Sequence, residues 1–496
     1  MIHKTAKTPK RDRLQRGLEI IPGLFSWSLI LFPIWGSFLI PVAVAYYIIA
    51  FSVYWLYRSA STAFLAGLTH FRIKIAQRYN WMVDVKDFGD WRKLHHIVIL
   101  PNYKEPLHIL RQTLNAIKSQ SFPIKKISIV LAFEEREGNL AYQKAEQLTR
   151  EYKNIFGNLL TTFHPDLPNE VKGKSSNTAW ACQEAKREIV EKKKLNPDFV
   201  TITSEDADAR LHKEYFACLS YKFLDSPCRY NLIFQAAILY YNNIWKAPAP
   251  VRVFSTIASI VQMSFLNRKD RLINFSTYTA SFKLLNQIGF WDVDVIPEDY
   301  RLFFKAYFAT GGKVEVESIF LPVFAHAAVS DTFWKTMKNQ YEQVKRWAWG
   351  VSDDPYIIKK WLATPGVPFW DKTLRVLKVI EDHFLWPVNW FAITLGATLP
   401  PLLNENFART IIGKRLPQTS SAILTLSLLF MLIMILIDWK QRPKDETINL
   451  KKKVLGLLEF VLLPVVGFFF SALPGLDAHT RLMLGRYIEY RVTEKV

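Results

Sequence analysis

Cysteine is scarce. The chain of 496 residues has three, Cys182, Cys218 and Cys228, an odd number with no CxxC pair. That excludes a disulfide scaffold or a cysteine-based metal site and suits a reducing compartment. Charge is also low, at 22% against 50% hydrophobic and 14% aromatic residues. A chain so apolar buries a large core, so disorder is excluded as the main state. No Gly-rich phosphate loop is present. Gly173-Lys174-Ser175 has Pro168 where a P-loop needs its first glycine. No Ser-His-Asp or HExxH arrangement, internal repeat or low-complexity segment occurs. Acidic residues are outnumbered 44 to 64, giving a net charge of +20. Much of that excess flanks apolar segments, where it reads as attraction to anionic lipid rather than nucleic acid. No base-reading basic helix or RNA-binding motif accompanies it.

The 38 residues from Ile20 to Tyr57 carry no charge. As one helix they would be about 57 Å long, against a bilayer core of about 30 Å. Two crossings are expected, with the turn near Pro33, Gly36, Ser37 or Pro41. Later, 384–403 and 420–437 are uncharged, and 454–473 carries only Glu459. Glu459 falls at headgroup level or lines a polar passage. Lysine and arginine concentrate in 1–19 and 440–453, which places both on the cytoplasmic side. The hairpin then leaves 58–383 cytoplasmic and 404–419 outside, in the cell inner membrane. The last segment either crosses fully or dips and returns at Pro464 and Pro474, ahead of a tail at 474–496. His383, at the start of an apolar segment, is expected to be an interface residue.

Between the membrane segments the pattern changes. Residues 58–94 repeat Phe64, Leu68, Phe71 and Ile75 at helical spacing, as for a helix lying at the interface. Strands are expected at 95–100, 127–133, 161–164 and 199–203, alternating with helices at 106–119, 139–155 and 176–193. That order predicts an α/β layer on a mostly parallel sheet, with ligands beyond the carboxyl ends of its strands.

Three clusters carry chemistry. Asp206 and Asp208 end the fourth strand, where two carboxylates can share a hard cation with a diphosphate or form a solvated acidic loop. Pro297-Glu298-Asp299 opens a helix, facing Phe275-Ser276-Thr277-Tyr278-Thr279-Ala280-Ser281. A carboxylate there can serve as a general base or as a helix cap. Gln343, Arg346 and Trp347 share an amphipathic helix. They can neutralise and stack on a leaving diphosphate or line a membrane surface.

Pro101-Asn102-Tyr103-Lys104-Glu105, Lys174 and Asn177, Asp206-x-Asp208, Glu298-Asp299 and Gln343-x-x-Arg346-Trp347, in that order, resemble the membrane-integrated family 2 glycosyltransferases of the cellulose, chitin and hyaluronan synthase group. The resemblance covers roughly 95–350. It implies a GT-A domain over 95–330, followed by interface helices over 331–383, and an inverting, metal-dependent transferase that moves a sugar from a nucleotide-sugar donor to a growing polysaccharide or glycan. By it Tyr103 and Glu105 hold the nucleoside, with Glu134 or Glu135 where the family has an aspartate pair. Lys174 and Asn177 approach the donor. Asp206 and Asp208 hold the diphosphate and a divalent metal, Mg²⁺ or Mn²⁺. Asp299, beside Glu298, is the base, and Gln343, Arg346 and Trp347 bind the leaving diphosphate and the acceptor end. The implied partners are a nucleotide sugar, UDP-linked first, a glycan or lipid-linked acceptor, and membrane lipid. Pro297 replaces the family's usual threonine. No FxVT-like gating segment follows the QxxRW helix, and the few late membrane segments speak against extrusion of a polymer. Single addition to a lipid-linked acceptor, a non-catalytic sugar-nucleotide-binding protein and a transporter are the competing readings.

Overall fold

The computed structural model describes residues 12–443, 455–491 and 493. The basic stretches at 1–11 and 444–453 lie outside them, as does Lys495.

The first helix, Arg13–Leu39, is capped by Asp12. The chain turns at Ile40, and Pro41 opens the second helix, Pro41–Arg78. Proline suits that first turn, because its missing N–H would have no partner there. The hairpin turn thus falls at one of the expected prolines. The second arm does not end at the membrane, however. It runs on as one helix through the stretch expected to be interfacial. Phe64, Phe71 and Ile75 stay exposed on one side, while Ala63, Ala66 and Ile73 pack into the core. Thr69 Oγ1 donates to the Met263 carbonyl at 2.7 Å. The helical hairpin and the α/β layer are therefore joined through a single rod.

Among the described residues three helices are long and apolar enough to cross a membrane, Arg13–Leu39, Ile411–Gln441 and Leu455–Met483; Pro41–Arg78, the second crossing expected from the sequence, is not one of them. The middle one turns Leu428, Leu429, Leu432 and Leu436 outward, as lipid contact requires. The expected segment at 384–403 differs. It is broken into short helices, Val388–Thr394 and Leu399–Leu403, neither of spanning length. Pro387, Gly396, Pro400 and Pro401 interrupt it. In the last segment Pro464 and Pro474 open helical turns and do not send the chain back. A tightened turn at Glu459–Leu462 and a widened one at Phe468–Ala472 absorb the strain.

Glu459 is met by Arg252 from the Ala249–Phe265 helix, Nε to Oε2 at 2.7 Å and Nη2 to Oε1 at 2.8 Å. Breaking a shielded ion pair leaves a charge without compensation. Arg252→Gln is therefore expected to cost about 3 kcal/mol, read as a lower melting midpoint in detergent. Adding Glu459→Gln should recover most of the loss.

The sheet has eight strands: β1 His95–Pro101, β2 Ile127–Glu134, β3 Asn158–His164, β4 Val200–Ser204, β5 Arg210–Leu211, β6 Leu232–Leu239, β7 Tyr278–Ser281 and β8 Glu315–Phe324. Their order is β3-β2-β1-β4-β7-β6-β8-β5. The first four are parallel, as the alternating pattern predicts. β7 runs antiparallel to both β4 and β6, and β5 antiparallel to β8. The sheet is thus mixed rather than mostly parallel. Apolar cores fill both faces, which is why β1, β2, β4 and β6 are buried at every position.

Candidate active site

The carboxyl ends of β1, β2 and β4 open on a cavity of about 340 Å³. β1 delivers Asn102, Tyr103 and Glu105 and β2 delivers Glu134. β4 delivers Asp206 and Asp208. The Lys174–Ala185 helix brings Lys174 and Asn177, the Glu298–Ala309 helix brings Glu298 and Asp299, and the Phe333–Ala348 helix brings Gln343, Arg346 and Trp347. Every candidate from the sequence lies on this wall except Glu135. That residue is exposed in the turn after β2. Glu134 points inward and pairs with Arg136, whose guanidinium lies 3.9 Å from the Tyr103 ring centre.

At the centre stands Lys174. Its Nζ is 2.8 Å from Asp206 Oδ1, 2.9 Å from Glu298 Oε1 and 2.5 Å from the Ser276 carbonyl. Ser276 ties the rest together. Its hydroxyl donates to Asp206 Oδ2, and its N–H donates to Asp299 Oδ2 at 3.3 Å. Ser276 has φ +57°, a left-handed conformation that serine seldom adopts outside functional sites. Only the three-dimensional structure reveals that role. In sequence it is one of several hydroxylated residues.

Glu298 and Asp299 differ although adjacent. Glu298 is 6% exposed, and both its oxygens are engaged, Oε2 by the Tyr278 hydroxyl at 2.8 Å. Asp299 Oδ1 accepts the N–H of the next residue, Tyr300, at 2.9 Å within the first helical turn. Burial pushes Glu298 up to about 7 and the charge of Asp299 adds to the rise, while Lys174 opposes it. Burial also raises Asp299, against Lys174 and its backbone N–H bonds. Both carboxylates thus sit in the first turn of a helix that has no side-chain cap, and burial raises both, the direction that a general base requires.

Asp208 Oδ2 accepts the His326 N–H at 2.9 Å. Asp206 and Asp208 give hard oxygen donors on one wall, which fits Mg²⁺ or Mn²⁺. Among the described residues no group of three or more His, Cys, Asp or Glu could hold a metal. A cation here would depend on phosphate oxygens for the rest of its shell.

Among the described residues the buried Arg346 Nε, Asn102 Oδ1 and Asn177 Oδ1 have no hydrogen-bond partner. Trp347 lies against Phe254 and Tyr240 and lines the cavity.

Several lining residues escape the sequence reading. Tyr240 and Trp386 are aromatic among many. His383, expected at the interface, lines the cavity. Tyr490 and Thr493 reach it from the stretch read as a tail. Gly173 makes room for Tyr490, since a Cβ there would come within 2.6 Å of the ring. Arg346 lies 5.1 Å from that ring and 3.4 Å from Thr493 Oγ1. The signal was present. Tyr490-Arg491-Val492-Thr493 departs from FxVT only by tyrosine for phenylalanine.

Residues 201–439 match the family model described as Glycosyl transferase family group 2. That match spans β4 to β8 of the mixed α/β sheet and includes Asp206, Asp208, Asp299 and Arg346, so this part of the chain is similar to a family 2 glycosyltransferase domain. No curated protein matches it. Among solved structures it is similar to mannosyltransferase PcManGT from Pyrobaculum calidifontis in complex with GDP-Man and Mn²⁺. Identity is 13% over 77% of this chain and 99% of that one, with a TM-score of 0.42. TarS 1-349 of S. aureus in complex with UDP-GlcNAc is 13% identical over 68% of this chain and 92% of that one, with a TM-score of 0.36. Likeness at that level bears on neither substrate nor site.

Proposed function

We propose that this family 2 domain moves a sugar from a nucleotide-sugar donor to a hydroxyl of a glycan or lipid-linked acceptor at the membrane, with inversion. The observation that carries the reading is the convergence of carboxylates, lysine, arginine and tryptophan from separate elements on one cavity. The nucleoside lies by Tyr103, Glu105 and Glu134, where the buried Asn102 Oδ1 and Asn177 Oδ1 offer acceptors to base N–H groups. The diphosphate lies between Lys174 and Arg346, whose unpartnered Nε supplies a donor. A divalent cation on Asp206 and Asp208 would neutralise phosphate charge. Tyr490 and Thr493 close the donor end.

Asp299 takes the proton of the acceptor hydroxyl. The acceptor oxygen then bonds C1 on the face opposite the diphosphate. The C1–O bond to the β-phosphate breaks, and the nucleoside diphosphate leaves with its charge met by Lys174 and Arg346. Trp386 lies over Gly475 of the Leu455–Met483 helix, one of the long apolar helices, which supports a reading with the acceptor side close to the membrane.

The configuration of the transferred sugar tests the reading. NMR of the first product should show the anomer opposite to the donor's, and a retained anomer contradicts it.

The pH profile follows from Asp299. A raised carboxyl is protonated at higher pH than usual, and a protonated base is inactive. kcat/KM should therefore fall on the acid side, with the limb above the ordinary aspartate value of about 3.9. Below the limb the rate should drop about tenfold per pH unit. Nucleotide release measured between pH 4 and pH 9 checks this.

A further inference from the structure

His383 is 4% exposed, yet it lines the active-site cavity. It comes from the Phe369–Leu385 helix, which carries none of the motif residues. Its Nδ1 lies 2.7 Å from Asp354 Oδ1, at the start of the Asp354–Ala363 helix. A carboxylate there accepts the hydrogen bond of the Nδ1–H and fixes both tautomer and ring orientation. Among the described residues Nε2 has no hydrogen-bond partner. It lies over Gly350, where a Cβ would stand 3.3 Å from it. Gly350 is also on the cavity wall, so the backbone there leaves Nε2 open to the cavity.

The neighbours of the imidazole indicate what could meet Nε2. Its ring lies 5.4 Å from that of Tyr300, the residue after Asp299. Trp347 and Trp386 are on the same wall. Aromatic faces suit the C–H side of a pyranose, and a fixed imidazole nitrogen suits one of its hydroxyls. The phosphate-binding groups Lys174 and Arg346 come from other elements. Asp353, which neighbours Asp354, is held by Arg301 at 2.6 Å, and Arg301 also reaches Asp292 at 3.1 Å. The dyad therefore rests on a braced ion-pair network.

Resting on the proposed transferase reading, we infer that His383, oriented by Asp354, binds a hydroxyl of the acceptor sugar and holds it for attack beside Asp299. No bond to His383 forms or breaks. It selects a sugar acceptor over water.

The test uses the full chain in membranes, which supply the acceptor, with a radiolabelled nucleotide sugar that the wild type turns over. Label is counted in glycan or lipid-linked product and in free monosaccharide, the product when water is the acceptor. His383→Phe should shift this partition toward free sugar about tenfold, the worth of one hydrogen bond to a buried group, while total nucleotide release falls less than about threefold. His383→Gln, which restores a polar tip, should recover part of the partition. Asp354→Asn should shift it in the same direction as His383→Phe. A purely structural role would lower the melting midpoint of His383→Phe and leave the partition of the folded protein unchanged. That result overturns the inference, as does a wild type that yields free monosaccharide alone. Nucleotide release that is sensitive to Asp299→Asn, with an unmoved partition, removes this inference and leaves the transferase reading intact. Absence of turnover with every donor removes both.

Discussion

Asp299→Asn is expected to lower sugar transfer about 1,000-fold, within the 10²–10⁴ that a positioned general base supplies, with donor binding changed no more than a few-fold. The amide fits the same space, and its one oxygen can still accept the Tyr300 N–H, while the longer Ser276 N–H contact to the second oxygen is lost. It cannot take a proton from a hydroxyl at neutral pH. The adjacent Glu298 is the control. Its oxygens are engaged by Lys174 and Tyr278, so Glu298→Gln should act mainly through stability and through the position of Lys174. Steady-state nucleotide release and equilibrium binding of the nucleoside diphosphate separate the two. If Asp299→Asn keeps a tenth or more of the rate, the base lies elsewhere.

The second large effect is at Lys174. Its ammonium is 13% exposed and sits among Asp206, Glu298 and the Ser276 carbonyl. Lys174→Met keeps the length of the side chain and removes the charge. Two carboxylates then face each other with no cation, and Asp299 is close by. Breaking a buried pair from one side costs about 3–5 kcal/mol. For a domain of this size that lowers the melting midpoint by roughly 10 °C. Donor binding should weaken as well, because the phosphates lose a charged donor. Thermal denaturation in detergent and nucleotide titration check both effects. An unchanged midpoint would mean that the carboxylates do not depend on the lysine.

The half of the sheet that uses Tyr103, Glu134 and Asp206 was legible in the sequence, because it obeys local rules. β1, β2 and β4 are apolar runs that end at punctuating residues, and helices alternate with them. The other half was not. β6, β7 and β8 pair across long intervals, and nothing local in Leu232–Leu239 says that it lies between β7 and β8. The same contrast holds at the site. Asp206, Asp208, Asp299 and Arg346 stand in short motifs, and the structure puts them on one wall. Ser276 becomes a hub only through a left-handed backbone that brings Lys174, Asp206 and Asp299 around it. His383 beside an apolar run reads as an interface residue until Asp354 is seen against it. In the membrane segments, charge-free length located Ile411–Gln441. It could not reveal that the prolines and Gly396 break up 384–403.

The central claim is transfer from a nucleotide sugar. Its most direct test is nucleotide release by the detergent-purified chain across a panel of UDP- and GDP-sugars with Mg²⁺ or Mn²⁺, beside Asp299→Asn. The account predicts release from one donor that stops on chelation and is lost in the variant. Release that survives both chelation and Asp299→Asn, or none from any donor that binds, would contradict it.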